Sequence, residues 1–274
     1  MKHILLAGLT MLLISACATS PTGRSQLMLI SPDMAISESK AAYLSTVTDI
    51  TREHRLVTDD AWTNRISTIT GRLVTEAIRK YPGSRDWDWS VAIIDDPETL
   101  NAWCMAGGRM AIYTGIVTKL NLTDDEIAQI MGHEISHALA NHTAEKMSQA
   151  ILVNTGLAIT SKVTDQNGYV LTGSALAAQL ALQLPNSRDA EREADEIGIE
   201  LAIRAGYRPD AAVSLWRKMS EAGGGGPEFL STHPSPGNRM DTLQELGEKL
   251  ESLNPSLTKS AVHPVRIVTD IQQL

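Results

Sequence analysis

Thr123-Asp124-Asp125-Glu126-Ile127-Ala128-Gln129-Ile130-Met131-Gly132-His133-Glu134-Ile135-Ser136-His137-Ala138-Leu139 is the stretch whose reading decides the fold. Thr123 and Glu126 have the spacing of a capping box, in which each side chain bonds the other residue's backbone N–H. Ile127, Ile130, Met131, Ile135, Ala138 and Leu139 recur at helical spacing, so the predicted helix buries that face. Residues four apart share a face. His133 and His137 can therefore reach one Zn²⁺, and Glu134 stands about 100° further round, beside the metal. That is the position for a base acting on metal-bound water. The bland alternative, two partly buried histidines and a surface Glu, does not explain why a capping box and uncharged flanks accompany the pattern.

A catalytic zinc site needs a third protein ligand and an open position. The best source is Ser187-Arg188-Asp189-Ala190-Glu191-Arg192-Glu193-Ala194-Asp195. Ala190, Ala194, Ile197 and Leu201 form a buried stripe, and Glu191, Asp195, Gly198 and Ala202 run beside it. Glu191 is the candidate third ligand. Asp195, on the same face, can accept the N–H of a ligating His. Gly198 lets another helix come close. Glu193 and Glu196 read as a solvated face.

The rest of the chain sets bounds. It has 274 residues, 43% hydrophobic and 20% charged, enough for a globular core. A net charge of −8, 4% aromatics and no basic run argue against a nucleic-acid surface. Two cysteines, Cys17 and Cys104, exclude a disulfide-dense scaffold. Lys2 and the apolar run Ile4–Ile14 have the layout of a signal peptide, too short to span a bilayer. Ile14-Ser15-Ala16-Cys17 resembles a bacterial lipobox, which makes Cys17 the lipidation site; Ala16-Cys17-Ala18 also fits an ordinary signal-peptidase site. Resemblance to lipoprotein sorting signals, with Ala18 after the Cys, implies the outer membrane. The expected organisation is a signal peptide over 1–16, a lipid-anchored tether over 17–36, the main domain over 37–253 and a tail over 254–274.

Residues 37–54 and 59–80 read as helices. A strand around Trp89, Val91 and Ile93 follows, then extended stretches at 101–106 and 109–113 about Gly107-Gly108. The apolar stretches Ile151–Ile159 and Ala175–Leu184 read as a helical pair closing the core, with a lid or a membrane-touching hairpin as alternatives. Gly223–Gly226 and Pro227 form a loop, and 236–253 another helix. Val265–Val268 carries a weak strand signal without an assigned role. The fold class is α+β, a mostly helical zincin-type domain with a small β-sheet carrying the active-site edge strand. Arg109–Tyr113 is the expected cradle strand, with Asn101, Arg109 and Ala111 as cradle residues, because an exposed edge can bind an extended peptide. His142 reads as capping the metal helix, and Cys104 as a buried thiol rather than a zinc ligand.

The motifs together resemble the HtpX and CaaX-prenyl-protease-like family of zinc metallopeptidases, of the gluzincin type. The matching pieces are His133-Glu134-x-x-His137, Ser187-Arg188-x-x-Glu191-x-x-Ala194-Asp195 and Thr232-His233-Pro234, with Asn101-Ala102-Trp103 and Gly107-Gly108. Thr22-Gly23-Arg24-Ser25-Gln26-Leu27 resembles the mature start of its periplasmic lipoprotein branch, of the BepA and LoiP kind. The resemblance implies one Zn²⁺ per chain and endoproteolysis of unfolded or misassembled envelope proteins at the periplasmic face of the outer membrane. It also implies a place for His233 at the zinc, as a displaceable fourth ligand or a transition-state group. Arg239 is a candidate partner for the oxyanion or for Glu191. A chaperone-like binder with a latent, His233-blocked site and an exopeptidase remain as other readings.

Overall fold

The computed structural model describes residues 17–164, 173–222, 228–234 and 237–273. The expected signal peptide (1–16) and the loop 223–227 lie outside the described residues. A hairpin of β1 (Cys17–Thr19) and β2 (Ser25–Leu27) opens the described chain, followed by α1 (Pro32–Arg52) and α2 (Asp60–Lys80). Then come β3 (Ser90–Ile94), β4 (Ala102–Met105), β5 (Arg109–Tyr113), α3 (Thr114–Lys119) and α4 (Asp124–Leu139). The remaining elements are α5 (His142–Thr164), α6 (Gly173–Leu182), α7 (Arg188–Arg204), α8 (Asp210–Glu221), α9 (Glu228–Thr232), α10 (Arg239–Leu250) and β6 (Arg266–Val268). The fold is α+β and mostly helical, as expected.

The four-stranded sheet has the order β4-β5-β3-β6. β3 pairs in parallel with β5 and with β6, and β4 pairs antiparallel with β5. Alternate residues feed two cores. Val91, Ile93, Met110 and Ile112 join one with α2, α4 and α7, while Ala92, Ile94 and Ala111 join a second with α1 and α6. The sheet is therefore covered on both faces, which suits the apolar β3 and its parallel neighbours. Gly107 and Gly108, at φ 85° and 78°, make the β4–β5 turn in a region that only Gly enters freely.

Three expectations change here. β5 is not an edge strand: it lies between β4 and β3, and Ala111 pairs with Trp103 on one side and Ala92 on the other. The edge nearest α4 is β4. The weak signal at 265–268 is β6, a strand of the sheet with Val268 fully buried, within the stretch expected to be a tail. The helix expected at 37–54 begins earlier, at Pro32, because Ser31 caps it by accepting from the Met34 N–H. The apolar pair 147–184 supplies α5 and α6, whose joining loop lies outside the described residues. Leu176, Ala177 and Leu180 of α6 enter the second core, but Ile151, Leu152 and Val153, the described side chains of the first stretch, are exposed, so among the described residues only the second stretch closes the core. No helix among the described residues is long and apolar enough to cross a membrane.

Candidate metal centre

α4 starts on the expected capping box. Thr123 Oγ1 accepts from the Glu126 N–H, and Glu126 Oε2 accepts from the Thr123 N–H at 2.8 Å. Every residue from Glu126 to Leu139 is buried. α7 starts on Ser187, which caps the Ala190 N–H. The two helices touch backbone to backbone. A Cβ on Gly198 would lie 2.8 Å from the His133 nitrogen, and one on Gly132 would lie 2.9 Å from the Gly198 oxygen. This approach is what lets short side chains from both helices share one point.

His133, His137, Glu191 and His233 converge there, all buried, with one ligand atom each within 4.8 Å of the others. His133 Nε2 lies 3.1 Å from His137 Nε2 and 3.4 Å from Glu191 Oε2, and His137 Nε2 lies 3.4 Å from Glu191 Oε1. His233 Nδ1 lies 3.2 Å from His133 Nε2 and 3.0 Å from Glu191 Oε1. A tetrahedron with ligand bonds of about 2.0–2.1 Å has edges of about 3.3–3.4 Å. The donor set therefore has the chemistry and spacing of a zinc site. Glu191 Oε2 and Glu134 Oε1 are buried without a hydrogen-bond partner, as oxygens that await a ligand would be.

Each ligand is held from behind. His133 Nδ1 is 3.0 Å from Asp195 Oδ1, which also accepts from Arg239 at 2.6 Å. Arg239 Nη1 stands 3.2 Å from Glu191 Oε2, and its guanidinium lies 3.7 Å over the Trp216 ring. Asn186 donates to Glu191 Oε1 at 2.8 Å. His233 stacks on Phe229 with ring centroids 4.2 Å apart, and its Nε2 is 3.3 Å from Glu134 Oε1.

Electrostatics follow burial and partners. Burial opposes charge on His133, yet the Asp195 and Glu191 carboxylates lift its pKa to about 9 without metal. Burial holds the Glu134 carboxyl above its ordinary range, although His233 and His133 oppose this. Glu191 stays well below that range, because the surrounding histidines outweigh its desolvation. Burial pushes the Cys104 thiol up, and its sulfur takes no part in the cluster.

His133, Glu134, His137, Glu191, Asp195, His233 and Arg239 thus come together. The expected cradle residues do not. Arg109 is buried and paired with Asp88, Ala111 is inside the sheet, and Asn101 is buried with its Oδ1 accepting from the Ala102 N–H at the start of β4. Glu193 is not solvated: it is 3% exposed and bonds His142, Arg24 and Thr22. Burial alone would raise its pKa, but hydrogen bonds from His142, Ser20 and Thr22 hold it at about 2. His142 is not a helix cap. It begins α5, and its Nδ1 meets His137 Nδ1 at 2.8 Å. Asn186 and Lys146 are two further neighbours not singled out by the sequence. Lys146 donates to the Leu180 and Leu184 carbonyls and to Asn186, and burial lowers its pKa to about 8. Spacing along one helix cannot reveal such partners, because they come from other elements.

Two histidines one helical turn apart, a carboxylate beside them and a second carboxylate from an adjoining helix define a metallopeptidase centre of the gluzincin kind. Comparison with known proteins agrees. The chain belongs to Peptidase family M48, matched over residues 61–247. Metalloendopeptidase OMA1, mitochondrial, of Bos taurus is 30% identical over 238 residues, covering 82% of this chain and 45% of that protein. Mitochondrial metalloendopeptidase OMA1 of Arabidopsis thaliana is 35% identical over 166 residues, 60% of this chain and 33% of that one. The beta-barrel assembly-enhancing protease of Yersinia pestis is 26% identical over 207 residues, 72% and 41%. The chain spans a third to a half of the length of these relatives.

Proposed function

We propose that this chain is a zinc-dependent endopeptidase in which His133, His137 and Glu191 hold the metal and Glu134 is the general base. The observation that carries this reading is the convergence of those three donors on one point with the Glu134 carboxylate beside them. When bound, zinc acidifies a water and polarises the scissile carbonyl. Glu134 takes a proton on one oxygen as the peptide bond is attacked and returns it to the leaving amine. A carboxyl lifted by burial suits that double role. Asp195 fixes the His133 ring, and Arg239 supports Asp195 and Glu191.

His233 closes the resting site in this reading. Its Nδ1 fills the fourth corner of the donor set while its Nε2 faces Glu134. The cleft between β4, Lys146 and Leu180–Asn186 has a volume of about 30 Å³. That holds about one or two waters and no peptide. Catalysis then requires His233 to leave and the Leu180–Asn186 segment to give way, after which β4 offers an edge for an extended substrate.

The proposed substrates are unfolded or misassembled envelope proteins, met at the periplasmic face of the outer membrane with Cys17 acylated. The N-terminal sequence supports this placement, as does the bacterial relative named for β-barrel assembly. The OMA1 relatives, named as mitochondrial, do not bear on it.

The test is cleavage of an unfolded protein by the zinc-loaded full chain, beside Glu134→Gln at matched zinc content. Loss of about 10²–10⁴ in rate is expected, as for removal of a general base. Equal cleavage by both overturns the assignment. Internal product ends mark an endopeptidase, and release of terminal residues only marks an exopeptidase. His233→Ala should cleave faster than the parent. A slower variant would mean that His233 assists the reaction instead.

A further inference from the structure

We propose that the Thr22-Gly23-Arg24 turn positions the metal ligand His137 through Glu193 and His142, making the N-terminal hairpin a working part of the metal centre. The inference rests on the metal-site reading above and goes beyond it in naming what orients the second histidine.

The chain of contacts is continuous, buried from His137 through His142 to Glu193 and reaching the surface at Thr22 and Arg24. His137 Nδ1 meets His142 Nδ1 at 2.8 Å, and His142 Nε2 meets Glu193 Oε2 at 3.1 Å. Arg24 Nε donates to that same Glu193 oxygen at 3.0 Å, and Thr22 Oγ1 donates to Glu193 Oε1 at 2.8 Å. The other side of the Arg24 guanidinium forms a two-pronged pair with Glu145, at 2.8 and 2.6 Å. His142 and Glu193 side chains are each 2% exposed. Gln26, on the hairpin's second strand, donates to Glu145 and to the Ala140 carbonyl at the end of α4. The hairpin thus grips the end of the helix that carries both histidines.

The protons can run in only one direction when metal occupies His137 Nε2. A neutral imidazole has one donor and one acceptor nitrogen. With the Nε2 lone pair on the metal, His137 Nδ1 carries the hydrogen and donates to His142 Nδ1. His142 then carries its hydrogen on Nε2 and donates to Glu193. Glu193 accepts from His142, Arg24 and Thr22 together. Every group is satisfied, and each fixes the tautomer of the next. An isolated acid or a solvated helix face would not need two hairpin donors aimed at it from about 170 residues earlier in sequence. His142, Glu193 and Arg24 are positioning residues, since none of them touches the metal point.

The experiment measures zinc affinity of the full chain by competition with a chromophoric chelator, with melting of the metal-free proteins alongside. His142→Ala should bind zinc about 10–100-fold more weakly, the usual effect of removing a partner behind a metal-ligating His. Glu193→Gln keeps the volume and an acceptor oxygen but loses the charge, and should lose about 3–10-fold; Arg24→Ala should lose a similar factor. The Co²⁺-substituted forms of His142→Ala and Glu193→Gln should show shifted visible bands. If His142→Ala fails to fold, Glu193→Gln and Arg24→Ala decide. Zinc affinity and Co²⁺ spectra matching the parent in all variants that fold would overturn the inference, leaving the network a purely structural one. A parent chain that binds no zinc would instead sink the metal-site reading itself.

Discussion

The two histidines of the centre are backed in different ways. His133 leans directly on a carboxylate, Asp195, which is charge-paired with Arg239. His137 leans on a neutral ring, His142, and the charge stands one step further back on Glu193 and Arg24. The first support comes from α7 and α10, and the second from α5, α7 and the N-terminal hairpin. Glu191 and Asp195 lie one turn apart on α7 and face α4, while Glu193, about 200° round from Glu191, faces α5. One helix therefore serves both histidines from two sides. A direct carboxylate strengthens a ligand electrostatically, whereas a relayed one chiefly fixes its orientation.

That difference can be broken first at Asp195. Asp195→Ala removes the partner of His133 and one of the two carboxylates paired with the buried Arg239, leaving Glu191. We expect it to cost about 3–5 kcal/mol in urea unfolding of the metal-free protein, as for breaking a buried ion pair. An unchanged unfolding midpoint would show that the pair does not hold α10 to α7. The next largest effect belongs to Gly198→Ala, whose Cβ has no room against the His133 backbone. Pushing α4 from α7 should cost about 1–3 kcal/mol and weaken zinc binding through both histidines at once. A variant of full stability and affinity would mean that the helices tolerate separation.

Glu126→Gln tests the helix rather than either support. Glu126 sits below its ordinary carboxylate range: burial alone would raise it, but Lys218, Thr123 and Ser214 outweigh that. A depressed folded pKa gives stability that is present above the unfolded value and lost as pH falls through the folded one. The variant should be less stable by about 0.5–2 kcal/mol at neutral pH, with the gap closing below about pH 4.3. A gap that stays constant in thermal melts from pH 7 to 3 would contradict this. The smallest change is expected from Arg192→Ala, on the exposed face of α7 and paired, among the described residues, with the exposed Asp189. Surface pairs are worth about 0–1 kcal/mol, and zinc affinity should not move. A measurable loss of zinc would show that the outer face also matters.

The direct support was legible in sequence, and the relayed one was not. Asp195 is four residues from Glu191 on one helix, and helical geometry alone aligns them. The capping box and the apolar face of α4 are local for the same reason, and Gly198 on α7 showed only that another helix can come close there, not which one. Glu193 misled because a single helix shows only which side a residue occupies. It does not show that a hairpin from far upstream fills the space there. His142 misled likewise, since its partner is visible only once α4 ends at Ala140 and Asn141 turns the chain at positive φ. Strand order was the other hidden quantity. β5 has the composition of a strand, but nothing in it states that β3 and β4 take both its edges, or that Arg266–Val268 completes the sheet.

The pairing of β6 with β3 also bears on how the molecule folds. Ser90 meets Arg266, and closing a loop of about 175 residues costs about 4–5 kcal/mol of chain entropy. Contacts of such separation form slowly. Both metal-bearing helices lie inside that loop, and Arg24 must wait for Glu193 across a similar span. The centre is thus framed by long-range closures at both ends, and the helices that carry the ligands can form well before the ligands are locked in place. A chain caught partway would have its histidines on a helix but no fixed site, which keeps hydrolytic power out of the hands of an incompletely folded protease.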